Sequence, residues 1–308
     1  MNQKLSEIRA EVGRIIRGKN DVIVRILAAI LAEGHILMED IPGVGKTTLA
    51  TTFAKTMSLT CHRVQFTPDV LPSDLLGFSL YDKEAGQFKF RKGSVFCNLF
   101  LADEINRTSP KTQSALLEVM EERQASVEGR TWVLPSPFIV IATQNPTGAS
   151  GTQLLPESQM DRFMIRISMG YPAHEAAVEI LKTEVWENLD SVRQVVTLEE
   201  LQALQAGTKE ITVHDSLYDY MVSIVEKTRE HAWFQGGASP RGTIALLRMS
   251  RAMAMMEGRD FVTAEDVQRV AADVLSHRVK ISNRAAGEGK SVDACVRQVL
   301  MEIKPPRL

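Results

Sequence analysis

Cysteine is scarce in this 308-residue chain, and the three present, Cys61, Cys97 and Cys295, are odd in number with no C-x-x-C pair. Neither a disulfide framework nor a zinc site is expected from them. A net charge is also missing: 36 Lys and Arg nearly balance 38 Asp and Glu, so no global field favours nucleic acid or an acidic membrane. No apolar run is long enough to span a bilayer. The longest, Val22 to Ala32, is short and carries Arg25. The opening "MNQKLSEIRAEV" is polar and lacks the apolar region of a signal peptide, which makes the cytoplasm the expected location. Internal repeats and low-complexity tracts are absent.

What is present is an ordinary globular composition, 44% hydrophobic and 24% charged, in a length that suits about two domains. The two halves differ in texture. In the first, helical spacing of Leu5, Ile8, Val12, Ile15 and Ile16 is followed by a second apolar helix over Val22 to Ala32. The segments "HILME", "HRVQF", "NLFLADEI", "FIVIATQN" and "MIRIS" read as strands, with helices such as "TTLATTFAKTM" and "PKTQSALLEVMEER" between them. Such alternation predicts a parallel sheet covered on both faces. Two hairpins interrupt it, "FSLYDKEAGQFKFR" and "ASVEGRTWVL". Beyond Pro172 the chain reads as helices, two of them started by Thr197/Glu200 and Thr263/Asp266. The expected division is an α/β core over 1–172 and an all-helical domain over 173–308.

The most informative stretch is "GHILMEDIPGVGKTTLA", where a strand breaks into Pro42, Gly43 and Gly45 before a helix opens on Lys46, Thr47 and Thr48. A phosphate loop needs glycines so that backbone N–H groups converge on phosphate oxygens, a Lys for the terminal phosphates and a hydroxyl for Mg²⁺. Gly43, Val44, Gly45, Lys46, Thr47 and Thr48 meet that need. The strict spacing asks for glycine at position 40, where this chain has Asp40. Asp tolerates left-handed dihedrals, so the bend is expected to survive. Downstream, "NLFLADEINR" ends a strand in Asp103 and Glu104. A carboxylate pair there suits Mg²⁺ coordination by the first and activation of the attacking water by the second.

Together with "DEINRTSPKTQSALLEVMEERQASVEG", "FIVIATQNPTGASGTQLLPESQMDRF" and "SPRGTIALLRMSRAMA", these elements resemble the MoxR family of AAA+ ATPases over nearly the whole chain. The resemblance implies a five-stranded αβα core and a helical lid. It also implies ring oligomers, usually hexamers, and ATP- and Mg²⁺-dependent remodelling or assembly of client protein complexes. Partners with a von Willebrand factor A domain are implied in the same way. The hairpins resemble those of the branch that holds magnesium-chelatase ATPase subunits and replicative helicases, so a chelatase-type or nucleic-acid motor is the alternative. Nucleic acid is nonetheless not the expected partner: the hairpins supply only Lys83, Lys89, Arg91, Lys92, Arg130 and Trp132 for it.

Motif by motif, Asn145 matches the sensor of the attacking water or γ-phosphate. Arg162 matches the finger that reaches the neighbouring subunit's nucleotide, with Arg166 as rival. Arg241, set on the opening turn of a helix by Ser239 and Pro240, matches the second sensor over the γ-phosphate. Gly18 resembles the segment beside the adenine. Arg107 is read as a contact to a neighbour or a pair with Glu. His35 is expected to be an ordinary strand-edge residue, and Met249, Met253, Met255 and Met256 to be core of the helical domain.

Overall fold

The structure, a computed structural model, describes residues 3–40, 43–145, 155–183 and 189–307. Strands follow in the order β1 (Ile36–Glu39), β2 (Cys61–Gln65), β3 (Gly77–Asp82), β4 (Gln87–Lys92), β5 (Leu99–Asp103), β6 (Gln124–Val127), β7 (Arg130–Val133), β8 (Ile139–Gln144) and β9 (Ile165–Ile167). The short β10 (Phe234–Gly236) and β11 (Lys280–Ile281) lie in the C-terminal half. Helices of the first half are α1 (Gln3–Ile15), α2 (Asn20–Leu31), α3 (Lys46–Thr56), α4 (Pro72–Leu76), α5 (Pro110–Glu122) and α6 (Glu157–Met160). Those of the second are α7 (His174–Thr183), α8 (Leu198–Lys209), α9 (Asp215–Glu230), α10 (Pro240–Met256), α11 (Ala264–Leu275), α12 (Asn283–Gly287) and α13 (Val292–Glu302).

Five strands form one parallel sheet in the order β2-β5-β8-β1-β9. Side chains alternate across it, as a period of two requires. Ile36, Met38, Leu99, Leu101, Ile139 and Ile141 enter one core. Leu37, Phe100, Ala102, Val140 and Ala142 enter the other. Both faces are therefore buried, which is why β5 and β8 are apolar along nearly their whole length. The first core runs on without a break through α2 into the helical half, where Met249, Met253 and Met256 are buried. The two expected hairpins form, β3 with β4 and β6 with β7, and Phe90 stacks on Trp132 at 4.1 Å to join them.

Helix starts follow their capping residues. The Thr197 hydroxyl accepts the Glu200 amide while the Glu200 carboxylate accepts the Thr197 amide, and Thr263 and Asp266 form the same kind of box. Among the described residues the helical C-terminal half also contains the antiparallel pair β10–β11 and a parallel bridge between Thr212 and Phe261. These strands are two or three residues long, too short for alternation to register.

Candidate active site

All five parallel strands point the same way, so their carboxyl ends gather the segments that carry chemistry. After β1, Gly43 and Gly45 take φ of +84° and +90°, and Gly45 is the residue from which α3 starts. A Cβ on Gly43 would meet nothing within 4 Å, so the left-handed dihedral, and not crowding, is what calls for glycine there. Lys46, Thr47 and Thr48 form the first turn of α3, whose free amides and positive end face the loop. Lys46 Nζ donates to the Asp40 carbonyl at 3.2 Å. Burial pulls the Lys46 pKa down, while the charges of Asp40, Asp103 and Glu104 push it back, so these four groups share one electrostatic neighbourhood. Pro42 lies outside the described residues.

Asp40 does not act as a substitute for a left-handed glycine, because it is not among the residues with positive φ. Its carboxylate instead accepts from the Ser168 hydroxyl at 2.7 Å and from the amides of Met169 and Gly170 at 2.6 and 2.9 Å. The root of the loop is thereby tied to the turn after β9. The same turn is held by Lys19, whose Nζ donates to the Tyr171 carbonyl at 2.7 Å and also to that of Met169. Neighbouring Gly18, at φ +69°, sits so close to α7 that a Cβ would lie 2.9 Å from that of Ala176.

The acidic pair stands at the end of β5, beside β8. Thr143 Oγ1 donates to Asp103 Oδ1 at 2.7 Å and accepts the Glu104 amide at 2.8 Å. Asp103 Oδ2 also pairs with Arg63 at 2.7 Å. Glu104 takes φ of +56°, a left-handed conformation that costs a non-glycine residue roughly 1–3 kcal/mol and that concentrates at functional sites. Its carboxylate pairs with Arg107 at 2.8 Å. Asn145 follows β8 directly, and its carbonyl accepts from Asn106 Nδ2 at 3.5 Å.

Arg162 and Arg241 lie elsewhere. Both pair with Glu121 at the end of α5, Arg162 at 3.4 Å and Arg241 in a close contact. Together they line a cavity of about 420 Å³ whose wall also includes Gly34, His35 and Met164, the residues that lead into β1 and β9. This is the amino end of the sheet. From His35 to Asp40 is five residues of extended chain, roughly 16 Å at about 3.3 Å each, with the phosphate loop beyond. Within one chain, Arg241 is therefore not positioned over its own phosphate loop.

Similarity to known proteins agrees with this layout. Residues 35–165 match the profile of the ATPase family associated with various cellular activities (AAA), and residues 226–299 match an AAA lid domain. The chain is 39% identical to Chaperone MoxR1 of Mycobacterium tuberculosis, over 97% of this chain and 81% of that one. It is 30% identical to Protein MoxR of Methylorubrum extorquens, over 87% and 85% of the two chains. The chain belongs to the MoxR family of AAA+ ATPases. An uncharacterized Bacillus subtilis protein, YeaC, is 43% identical over 96% of this chain and 92% of its own length. A crystal structure from Cytophaga hutchinsonii, described there as a candidate ATPase, superposes with a TM-score of 0.92 at 39% identity, covering 99% of this chain and 95% of that one.

For a MoxR-family site, the oxygen donors present suit Mg²⁺. That ion is usually held by one or two carboxylates together with substrate phosphates, and Thr47 and Asp103 supply a hydroxyl and a carboxylate of that kind. Among the described residues no cluster of three or more His, Cys, Asp or Glu is placed to hold a metal ion. Among the same residues no helix is long and apolar enough to cross a membrane.

Other expectations fared unevenly. Arg166 is engaged on β9 between Glu39 at 3.1 Å and Asp293 at 3.7 Å, away from the Arg162–Arg241 cavity. His35 immediately precedes β1, at its end as expected. It is buried, accepting the Val140 amide at Nδ1 (3.0 Å) and facing the Met120 carbonyl through Nε2 (2.9 Å), and burial holds its pKa down to about 4. Residues 146–154 of the "FIVIATQN…MDRF" motif lie outside the described residues.

Three residues escaped the sequence reading. Thr143 is a hydroxyl that follows the apolar run Ile139–Ala142 of β8, a signal that could have been used. Glu121 is one of several acids on α5, with nothing local to single it out. Arg278, almost fully buried, donates to Asp161 Oδ1 at 2.9 Å and to the Phe163 carbonyl at 2.5 Å, so it grips the chain on both sides of Arg162. The Ser239 hydroxyl donates to the same Asp161 at 2.8 Å, which joins the start of α10, and hence Arg241, to that loop.

Proposed function

We propose that the protein hydrolyses ATP with Mg²⁺ in active sites shared between neighbouring subunits of a ring, and that the cycle remodels or assembles client protein complexes. The observation that carries this reading is the separation of the site into two incomplete halves. The phosphate loop, Asp103, Glu104 and Asn145 stand at the carboxyl end of the sheet, while Arg162 and Arg241 stand together at the amino end. Neither half suffices for rapid phosphoryl transfer, in which charge building on the γ-phosphate needs stabilisation. A second copy of the chain, presenting its arginine face to the first copy's phosphate loop, supplies what is missing.

In this reading the loop amides and Lys46 hold the phosphates, and Val44, Thr48 and the Gly18 segment border the nucleotide. Thr47 and Asp103 hold Mg²⁺, which neutralises phosphate charge when bound. Glu104 takes a proton from the attacking water, and Asn145 orients that water or the γ-phosphate. Arg162 and Arg241 exchange Glu121 for the neighbour's γ-phosphate. Arg166, which lies away from the cavity that Arg162 and Arg241 share, is not assigned to the finger. The 1–172 core and 173–308 lid are part of the same proposal, as are a cytoplasmic location and a partner with a von Willebrand factor A domain.

Complementation tests the shared site. Glu104→Gln and Arg162→Ala should each be nearly inactive, since a general base contributes ~10²–10⁴ in rate and an arginine finger ~10³–10⁵, the latter roughly 4–7 kcal/mol of barrier. Mixed together, some interfaces pair an intact Glu104 with an intact Arg162 and should turn ATP over. Subunit exchange without recovered activity would overturn the reading.

A further inference from the structure

The cavity that holds Arg162 and Arg241 also holds Arg248, to which the sequence motifs read above assign no role. Arg241, Ile244, Ala245 and Arg248 line it from α10 at the i, i+3, i+4, i+7 spacing of a single helix face. Arg248 thus stands two turns beyond Arg241, about 10 Å along the axis.

Charge in the cavity is unbalanced. Its carboxylates are Glu33, Glu121 and Asp161, against Arg123, Arg162, Arg241, Arg248 and Arg278. Glu33 is taken by Arg123 at 2.9 Å and by Lys209 at 2.6 Å from outside. Asp161 is taken by the buried Arg278. Glu121 is shared by Arg162 and Arg241. Among the described residues Arg248 has no hydrogen-bond or ion-pair partner, and its side chain is exposed on the cavity wall. With Glu33 and Asp161 taken, Glu121 alone faces Arg162, Arg241 and Arg248, which leaves an excess of positive charge. A single acidic side chain from a neighbour would leave part of that excess uncompensated, whereas a polyphosphate brings several negative charges in one ligand.

We propose that Arg248 is a phosphate-binding residue acting on the neighbouring subunit's nucleotide, gripping it in ground state and transition state alike. The proposal rests on the shared-site reading. Uniform binding of that kind appears in KM and not in kcat, which separates Arg248 from a transition-state finger.

The test uses the complementing pair described above. In that mixture the Glu104→Gln chain supplies the arginine face and the Arg162→Ala chain supplies the phosphate loop. Arg248→Ala added to the Glu104→Gln chain should raise the KM for ATP of the recovered activity about tenfold, the order expected for loss of a charge-assisted hydrogen bond. Arg248→Lys should recover part of that loss. The KM rise should appear only when the substitution is on the chain that supplies Arg162. An unchanged KM, or an equal rise with the substitution on either chain, overturns the proposal while leaving the shared site intact. So does a loss of assembly, read by light scattering, that is equal with and without ATP, because it assigns Arg248 to a protein contact. A parental mixture with no activity overturns both readings together.

Discussion

Thr143 and Asp103 are joined by a 2.7 Å hydrogen bond between two buried side chains, with the Glu104 amide held at 2.8 Å by the same hydroxyl. Two carboxylates with different tasks are thereby referred to one point on β8. Thr143→Val keeps the shape and leaves an acceptor of Asp103 and the amide of Glu104 unsatisfied. Buried unsatisfied groups cost about 1–3 kcal/mol each. The expected outcome is a lower denaturation midpoint and a fall in kcat of at least tenfold with ATP still bound, both largely recovered by Thr143→Ser. A Thr143→Val enzyme with wild-type kcat would show that the hydroxyl does not position the acidic pair.

Glu104→Gln separates binding from turnover. The amide cannot take a proton, and a general base contributes typically ~10²–10⁴-fold, so turnover should drop by that amount while a fluorescent ATP analogue still binds. Lys46→Ala should show the opposite pattern, with binding itself lost. Wild-type turnover in the first, or wild-type affinity in the second, contradicts the role assigned to that residue.

Position 40 offers a test in which motif matching and structure disagree. Asp40→Gly restores the glycine that the strict phosphate-loop spacing requests, and on that ground alone should tighten ATP binding. The structure predicts the reverse, because the three hydrogen bonds from Ser168, Met169 and Gly170 to the carboxylate disappear. A hydrogen bond to a charged group is worth about 1.5–3 kcal/mol, so a stability loss of at least about 2 kcal/mol and weaker nucleotide binding are expected. Urea denaturation and nucleotide titration of Asp40→Gly measure the two; tighter binding at unchanged stability would refute this role for Asp40.

Glu11 on α1 provides a pH signature of the tie between the first and second halves. Burial by itself would raise its pKa, but hydrogen bonds from Arg14 and Arg193, with the charge of Arg14, outweigh it and hold the group at about 2 instead of 4.5. A depressed carboxylate pKa means stability that is fully present above about pH 4.5 and is lost as pH falls toward 2. The difference corresponds to about 3 kcal/mol. Glu11→Gln should therefore be less stable than wild type at pH 7, and the gap between the two should narrow between pH 4.5 and 2. Urea unfolding at stepped pH checks it; a gap that is constant with pH would exclude this ion pair as the source.

The elements legible from sequence are those whose signal is contiguous in the chain. Hydrophobic period distinguishes strand from helix within a few residues, so the five parallel strands, both hairpins and most helices could be read directly. The phosphate loop and the acidic pair are likewise local, because backbone amides, a lysine and a hydroxyl must follow one another to surround a phosphate. Folding alone decided which distant groups meet. Asp103 finds Thr143 across 40 residues, Arg241 finds Glu121 across 120, and Asp40 finds Met169 across 129. No spacing rule encodes such pairs, since charge and hydrogen-bond complementarity act through space and any of several acids could have answered each arginine. The same holds for the placement of Arg162 and Arg241. Their identities are visible in the motifs, but that they stand at the opposite end of the sheet from Lys46, and so face outward to another subunit in the proposed ring, follows from the parallel course of the strands and the packing of α10 and α11 beneath them.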